Sequence, residues 1–278
     1  MWRKNVERIS QRGPVALVFG SGGARGLAHL GVLQALEELG LRADIAVGTS
    51  IGSIAAAAYV TGTVRAVREG ASSLGLVELS RMLLDPALST SGLLGGRKVM
   101  ERLRSWIPDV DIQVLRLPFA AVATDIGAMA EVVLREGSIL DAIRASISIP
   151  GIFRPAKVGG RWLVDGGLTN PLPVSVARDL GAARVLAIDI NLRSGESGAD
   201  SAADGAPALF DMLTRTFRMG ENAIERERLL RDRPDVLLQP AVGQVATLDF
   251  RDADAAMRLG YEEAMARRDE IAALFGAA

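Results

Sequence analysis

The sequence predicts an α/β protein whose central sheet is mostly parallel and carries helices on both faces. Short apolar runs, such as PVALVFG at 14–20, alternate with segments of helical periodicity, as they do in parallel α/β sheets. Glycine-rich loops follow two of the early runs, where strands are expected to turn into helices. Nearly half of the 278 residues (49%) are hydrophobic, so the chain can bury a large core. We expect a single domain spanning 1–278.

Apolar runs predict the strands, and a repeat near 3.6 residues predicts the helices. The predicted strands lie at 14–20, 44–48, 117–126, 131–137, 184–190 and 235–240, with a hairpin at 155–167 around Gly159-Gly160. The predicted helices lie at 26–39, from Ser50 onward, at 138–146 behind the cap Ser138, along Phe210, Leu213, Phe217 and Ile224, and at about 252–275. This order of elements suits a sheet covered on both sides.

Two segments fall outside this pattern. Residues 1–13 form an N-terminal arm with four basic residues and one acidic residue. We expect it to be a solvated terminus, and contact with an anionic membrane surface is the alternative. Residues 193–206 are small, polar and glycine-rich, which is typical of a flexible surface loop. Because a strand and helices follow that loop, we interpret it as an insertion within one domain, with two domains as the alternative.

Composition and charge exclude several classes of function. A net charge of −1 gives no general attraction to nucleic acid. With no cysteine and one histidine, the chain has no disulfide and no usual set of zinc ligands, so we predict no metal. The apolar runs are too short to cross a bilayer, and the N-terminal residues have no apolar core of a secretory signal. We expect a cytoplasmic protein, with peripheral contact at the inner membrane face as an extension of that expectation.

The stretch Gly48-Thr49-Ser50-Ile51-Gly52 follows a predicted strand and precedes a predicted helix. In that context a Gly-x-Ser-x-Gly pattern predicts a nucleophile elbow, a tight turn that exposes the serine at the end of the sheet. Gly48 and Gly52 would remove side-chain clashes in the turn. The alternative is that Ser50 only caps the helix.

A second glycine-rich stretch, FGSGGARGLAHLG at 19–31, also lies between a strand and a helix. It lacks the Gly-Lys-Ser/Thr of a phosphate-binding P-loop, and Arg25 stands where a dinucleotide-binding loop needs glycine. The remaining function is an anion site of free backbone N–H groups, such as an oxyanion hole, and the alternative is a plain tight turn. Since both loops end neighbouring parallel strands, we expect them side by side.

The general base that would activate Ser50 is not obvious from the sequence. The only histidine, His29, precedes Ser50, whereas an α/β-hydrolase has its histidine after the serine. We expect His29 to pack the first helix or to support the site. Asp165, at the end of a predicted strand and before two glycines, is the best candidate base, and a simple turn aspartate is the alternative.

Together, GSGGARGLAHLGVL, GTSIGS, RASISIPGIFRP and DGG resemble the motifs of the patatin-like phospholipase family, in its small bacterial form, over about residues 14–190. The resemblance implies a three-layer α/β sandwich and a Ser-Asp dyad, with Ser50 as nucleophile and Asp165 as base. It assigns the oxyanion hole to Gly22, Gly23, Arg25 and Gly26 in a loop at 20–26, and it adds as supporting residues Gly48, Gly52, Gly166, Gly167 and His29. Ser21 and Ser53 depart from the usual glycine and alanine.

The resemblance implies hydrolysis of fatty acyl esters of phospholipids or lysophospholipids through an acyl-enzyme, without metal or cofactor. Two alternatives stay open: a non-catalytic regulator that binds lipid or protein, and a soluble esterase or thioesterase. Residues 81–103 are interpreted as a mobile rim over an acyl pocket or as a structural loop. A homodimer is also left open.

Overall fold

A computed structural model describes residues 13–73, 86–89, 92–94, 96–191, 209–243 and 253–277. The strands are β1 (Val15–Phe19), β2 (Ile45–Thr49), β3 (Pro86–Ser89), β4 (Gly92–Leu94), β5 (Phe119–Asp125), β6 (Ala130–Leu134), β7 (Ala156–Val158), β8 (Arg161–Asp165), β9 (Arg184–Ile188) and β10 (Val236–Leu238). The helices are α1 (Leu27–Glu38), α2 (Ile51–Thr61), α3 (Val64–Ser72), α4 (Arg97–Trp106), α5 (Ile139–Ser146), α6 (Val174–Asp179), α7 (Leu209–Arg231), α8 (Ala253–Ala266) and α9 (Arg268–Leu274). Short 3-10 turns lie at Gly23–Gly26, Ile112–Val114 and Gly166–Leu168.

Apart from the β3–β4 hairpin, the described strands form one mixed sheet in the order β10-β9-β1-β2-β5-β8-β7, with β6 also paired to β5. Pairing is parallel from β10 to β5 and antiparallel among β5, β6, β7 and β8. The prediction of a mostly parallel α/β sheet is confirmed.

Alternate side chains of the buried strands enter two separate cores, one on each face of the sheet. In β1, Leu17 and Phe19 join the larger core, which α1, α2, α5 and α8 cover. Val18 joins the smaller core, which contains Val176 of α6 and is packed by Leu229 of α7. Because a strand buried on both faces needs helices on both faces, this arrangement gives three layers and agrees with the predicted fold class.

The strands β2 and β8 meet head to head along the same edge of β5. Thr49, the last residue of β2, pairs with Val122. Asp165, the last residue of the oppositely directed β8, pairs with the next residue, Ala123. The other edge of this part of β5 is occupied by β6. The carboxyl ends of β2 and β8 therefore meet at one place in the sheet.

Several boundaries differ from the sequence-based expectation. The predicted helix at 252–275 is two helices, since the backbone at Arg267 (φ −111°, ψ 21°) leaves the helical region and lets α9 turn back onto β9 and β10. The strand predicted at 131–137 ends at Leu134. The sequence patterns also do not predict helices α3, α4 and α6. In α3, small and charged residues outnumber the large apolar ones, so its apolar signal is weak.

Some predictions lie on residues that the structure does not describe. The N-terminal arm, apart from Gly13, and the loop at 193–206 are outside the described residues. Of the rim at 81–103, the described parts are the β3–β4 hairpin and the start of α4, and its role stays a prediction. No helix in the described ranges is both long and apolar enough to cross a membrane.

Candidate active site

Ser50 stands on a sharp turn between β2 and α2. Its backbone has φ 55° and ψ −127°, a conformation that non-glycine residues rarely adopt. Ser50 occupies the N-cap position of α2, but its side chain makes no capping hydrogen bond. A Cβ at Gly52 would lie 2.2 Å from the carbonyl oxygen of Phe19, and one at Gly48 would lie 2.2 Å from that of Gly52. The two glycines thus allow the strand-turn-helix backbone contact that an elbow requires.

The side chain of Ser50 points to Asp165. Its hydroxyl group donates a hydrogen bond to Oδ2 of Asp165 over 2.6 Å. Oδ1 of Asp165 accepts a hydrogen bond from the Gly167 amide over 2.8 Å, as in a turn aspartate. The two roles considered for Asp165 are therefore compatible, because each uses a different oxygen of the carboxyl group.

The backbone of Asp165 is fixed on both sides. Its amide donates to the carbonyl of Ser148 over 2.9 Å, and its carbonyl accepts from the hydroxyl of Thr124 over 2.9 Å. A Cβ at the following residue, Gly166, would lie 2.3 Å from the carbonyl oxygen of Val122, so this turn lies directly on β5. Asp165 is held in place independently of Ser50.

Asp165 is fully buried, and this burial raises its pKa to about 7, against the hydrogen bonds from Ser50 and Gly167 that lower it. Burial has this effect because the charged form loses its hydration. A carboxylate with a pKa near 7 is a stronger base than an ordinary aspartate and is still largely ionised at slightly alkaline pH. The environment of Asp165 therefore suits a general base.

Two further buried serines, Ser146 and Ser53, contact the backbone of Ser50. The hydroxyl of Ser146, at the end of α5, accepts from the Ser50 amide over 2.8 Å and donates to the Val122 carbonyl over 2.6 Å. The hydroxyl of Ser53 donates to the Ser50 carbonyl over 2.6 Å. Ser146 lies in the quoted stretch RASISIPGIFRP, but spacing alone does not show that a serine there reaches the elbow.

The glycine-rich loop lies beside Ser50, as expected from the parallel pairing of β1 with β2. Gly22 (φ 148°) and Gly23 (φ 61°) line the same small cavity as Ser50, with backbone angles that favour glycine. Arg25 and Gly26 are not among the described residues that line this cavity. The Arg25 guanidinium donates to the Gly243 carbonyl over 3.4 Å, and a Cβ at Gly26 would lie 2.3 Å from the side chain of Ile51.

His29 is fully buried on α1, and its Nε2 lies 2.9 Å from the carbonyl oxygen of Gly20. Because a carbonyl only accepts, Nε2 carries the proton and donates. Burial lowers the pKa of His29 to about 4, so the ring is neutral at ordinary pH. Its ring also meets the ring of Phe19 edge-on at 5.3 Å. These contacts place His29 in support of the glycine loop.

The cavity beside Ser50 is small and is lined on one side by α7. Its volume of ≈ 10 Å³, measured as space for the centre of a water molecule, is room for about one water. Ile149 and Ile152 line it from the segment after α5, and α7 contributes Thr214, Phe217, Arg218 and Glu221. The buried carboxyl group of Glu221 was not predicted, because the charge-rich sequence of α7 is typical of a solvated helix. In the described part of the chain, no group of three or more His, Cys, Asp or Glu side chains could hold a metal ion.

The fold and the site define the class: an α/β protein with a Ser–Asp pair at a nucleophile elbow, beside a glycine-rich loop. A family model described as patatin-like phospholipase matches residues 17–178, more than half of the chain. The chain belongs to this family, and the expected resemblance is confirmed. The family supports lipid hydrolase activity in general.

Similar proteins occur in bacteria and mammals. The chain is 40% identical over 177 residues to an uncharacterised NTE family protein of Mycobacterium tuberculosis, covering 64% of this chain and 49% of that protein. It is 33% identical over 286 residues to a second uncharacterised NTE family protein of the same organism, covering 92% of this chain and 46% of that protein. Patatin-like phospholipase domain-containing protein 6 of Mus musculus is 37% identical over 192 residues, covering 66% of this chain and 14% of that protein. The chain thus spans half or less of the length of these relatives.

Among solved structures, VipD from Legionella pneumophila aligns with a TM-score of 0.49 and 15% sequence identity. The alignment covers 92% of this chain and 66% of that chain.

Proposed function

We propose that this protein hydrolyses fatty acyl esters of phospholipids or lysophospholipids, with Ser50 as nucleophile and Asp165 as general base. The observation that carries the proposal is the 2.6 Å hydrogen bond from the Ser50 hydroxyl to a buried carboxyl group whose pKa is raised to about 7. A serine hydroxyl needs such a neighbour to become a nucleophile, and here a carboxylate fills the place that histidine fills in most serine hydrolases.

In the first half of the reaction, the Ser50 oxygen attacks the acyl carbonyl carbon while its proton passes to Asp165. The tetrahedral intermediate carries a negative oxygen, which backbone N–H groups of the loop at Gly22 and Gly23 would stabilise. The carbon–oxygen bond to the alcohol then breaks, and Asp165 gives its proton to the departing alcohol. Ser50 is left acylated.

In the second half, Asp165 takes a proton from a water molecule that attacks the acyl-enzyme. The bond to Ser50 then breaks, the proton returns to the Ser50 oxygen, and a fatty acid leaves. The same carboxyl group serves as base and acid in both halves, so the sequence of steps needs no further proton carrier.

The lining of the cavity supports a lipid ester over a small polar one. Ile149, Ile152 and Phe217 offer apolar surface for an acyl chain. Arg218 brings a guanidinium to the same cavity, which suits the phosphate of a phospholipid headgroup. Because the cavity has room for about one water molecule, an acyl chain must displace lining side chains, and Phe217 on α7 is the largest of them.

A fluorophosphonate probe followed by peptide mapping tests this function. We expect labelling at Ser50 and at no other serine, with no labelling of Ser50→Ala, because only an activated hydroxyl reacts readily with the probe. A panel of acyl esters then separates the substrate classes: phospholipids and lysophospholipids should be cleaved faster than neutral esters and acyl thioesters. Absence of labelling would favour the non-catalytic regulator, and faster cleavage of thioesters would favour the soluble thioesterase.

A further inference from the structure

One buried carboxyl group at the active centre takes no part in the proposed acyl transfer. Glu221 lies in α7, 3% exposed, and its side chain lines the same cavity as Ser50, Gly22 and Gly23. A carboxyl group is rarely buried without a specific partner, since desolvation of its charge is costly. The position of Glu221 therefore needs an explanation from its contacts.

Glu221 contacts both halves of the candidate site. The hydroxyl of Ser21, in the glycine-rich loop, donates a hydrogen bond to the Glu221 carboxyl group. On the other side, Oε1 of Glu221 lies only 2.1 Å from where a Cβ of Gly167 would be. Gly167 in turn donates its amide to Asp165. Glu221 thus bridges the loop of the oxyanion hole and the turn that holds the base.

Ser21 also belongs to a second set of buried polar groups. The side-chain amide of Asn191 donates one hydrogen bond to the Ser21 hydroxyl oxygen over 3.1 Å and another to Oε2 of Glu225 over 3.3 Å. Glu225 lies one helical turn after Glu221 on α7 and hydrogen-bonds Asp189. Glu225 is not among the described residues that line the cavity. Both glutamates are buried and both lie on α7. Of the two, only Glu221 lines the cavity beside Ser50.

The charges around Glu221 favour its neutral form. Burial and the neighbouring Asp165 raise the pKa of Glu221 to about 8, and the Ser21 hydrogen bond and Arg218 oppose this rise. Among the described residues, the other charged groups nearby are Glu225, whose pKa is raised well above its ordinary value, and Arg215, which acts on Arg218. Two carboxylates in one desolvated site repel, so one of the pair keeps its proton to higher pH.

We propose that Glu221 is a positioning residue that must carry its proton during turnover, holding Ser21 and the glycine-rich loop without adding a second negative charge beside the oxyanion. This proposal rests on the proposed function. Asp165 must lose its proton to act as base, and Glu221 must keep its own. Turnover is then confined to the pH range in which Asp165 is ionised and Glu221 is protonated. The rate falls at higher pH as Glu221 ionises.

The test is the pH dependence of kcat/KM for a chromogenic acyl ester, measured from pH 5 to 10 for wild type, Glu221→Gln and Glu225→Gln. For wild type we expect a maximum at about pH 7.5, an alkaline limb with its midpoint near pH 8 and, at pH 9, a rate about sevenfold below the maximum. In Glu221→Gln, whose amide is neutral at every pH, the alkaline limb should disappear while the acidic limb remains. Glu225→Gln should keep both limbs.

A wild-type profile without an alkaline limb would overturn the proposal. So would a limb that persists in folded Glu221→Gln, or one that Glu225→Gln removes as well. Thermal melting provides a readout that does not depend on activity. The stability that Glu221→Gln gains over wild type should grow from about pH 4.5, where the unfolded chain begins to release the proton, and level off above about pH 8. An equal difference at pH 5 and pH 9 would also contradict the proposal. If wild type neither cleaves acyl esters nor reacts with a fluorophosphonate, the proposed function fails and this inference fails with it.

Discussion

Thr49 and Asp165 pair with consecutive residues of one strand, Val122 and Ala123, although their own strands run in opposite directions. Ser50 follows Thr49 directly, so its distance from Asp165 is set by the register of β5 and not by a flexible loop. A shift of one residue would move either group by about 3.3 Å, enough to break a hydrogen bond of 2.6 Å. This relationship places two residues that are 115 positions apart within reach of a proton transfer.

We expect Ser146 and Ser53, the two serines that contact the backbone of Ser50, to contribute unequally to stability and turnover. Ser146→Ala should destabilise the protein by about 1–3 kcal/mol, because the buried Ser50 amide loses its acceptor, and it should lower kcat by misplacing the nucleophile. Ser53→Ala is the matched control. The Ser50 carbonyl keeps the Ser53 amide as donor at 2.9 Å, so stability and turnover should stay close to wild type. Urea unfolding and ester turnover measure both; equal losses in the two variants would contradict this account of the elbow.

We predict that Glu221 leaves no room for a side chain at Gly167, the second glycine of the Asp-Gly-Gly turn. Gly167→Ala should lower both stability and turnover, because the new methyl group would lie 2.1 Å from Oε1 of a buried, hydrogen-bonded carboxyl group. Combining it with Glu221→Ala should cost less than the sum of the two single changes. A strictly additive cycle, from thermal or urea unfolding, would show that the two residues do not meet.

Gly220, the neighbour of Glu221 in α7, provides the control for that experiment. A Cβ there meets no atom within 4 Å. Gly220→Ala should therefore stabilise the protein by about 0.5–1 kcal/mol through the higher helix propensity of alanine, with turnover unchanged. A destabilised Gly220→Ala would mean that α7 is not the helix described.

The stability of the fold should depend on pH through Asp165. Its pKa is raised in the folded protein from 3.8 to about 7, so the folded state holds a proton that the unfolded chain releases in this interval. The contribution of Asp165 to stability is complete below pH 4, falls as the pH rises, and is lost above pH 7. Asp165→Asn, which stays neutral, should therefore melt close to wild type at pH 4.5 and several degrees higher at pH 8.5. The reverse order would contradict the buried, proton-binding aspartate.

Chelators should not affect turnover. The proposed steps use only Ser50, Asp165, water and backbone N–H groups, and none of them needs a metal ion. We expect full activity after dialysis against EDTA, assayed with a soluble acyl ester. Activity that disappears with EDTA and returns with calcium would contradict the mechanism.

Much of the fold follows from local sequence signals. The strand runs, the cap Ser138 and the Gly159-Gly160 hairpin are predictable because each depends on a few neighbouring residues. Ser138 accepts the Asp141 amide over 3.1 Å, and both hairpin glycines have positive φ. The break at Arg267 is not predictable in this way, because no glycine or proline marks it, although α9 beyond it packs onto β9 and β10.

The residues of the candidate site also fall into those that local sequence predicts and those that depend on distant contacts. Gly48-Thr49-Ser50-Ile51-Gly52 predicts an elbow from adjacent residues, and Asp165 could be selected once His29 was set aside. Glu221 could not be selected, since a glutamate in a charge-rich helix gives no sign of burial. Its position depends on the contact of α7 with the Asp165 turn, a contact between distant parts of the chain. Local sequence patterns therefore indicate the proposed reacting pair more readily than the buried groups around it.

The central claim is that Asp165, and not His29, activates Ser50. The most direct measurement is the pH dependence of kcat/KM for wild type, Asp165→Asn and His29→Gln, with folding of each checked by thermal melting. The pKa values of the two groups differ, at about 7 for Asp165 and about 4 for His29, so the position of the acidic limb reports which group is the base. We predict a limb near pH 7 that survives in His29→Gln, and a loss of about 10²–10⁴-fold in Asp165→Asn. A folded His29→Gln without activity, beside an Asp165→Asn variant that still turns over, would contradict the assignment.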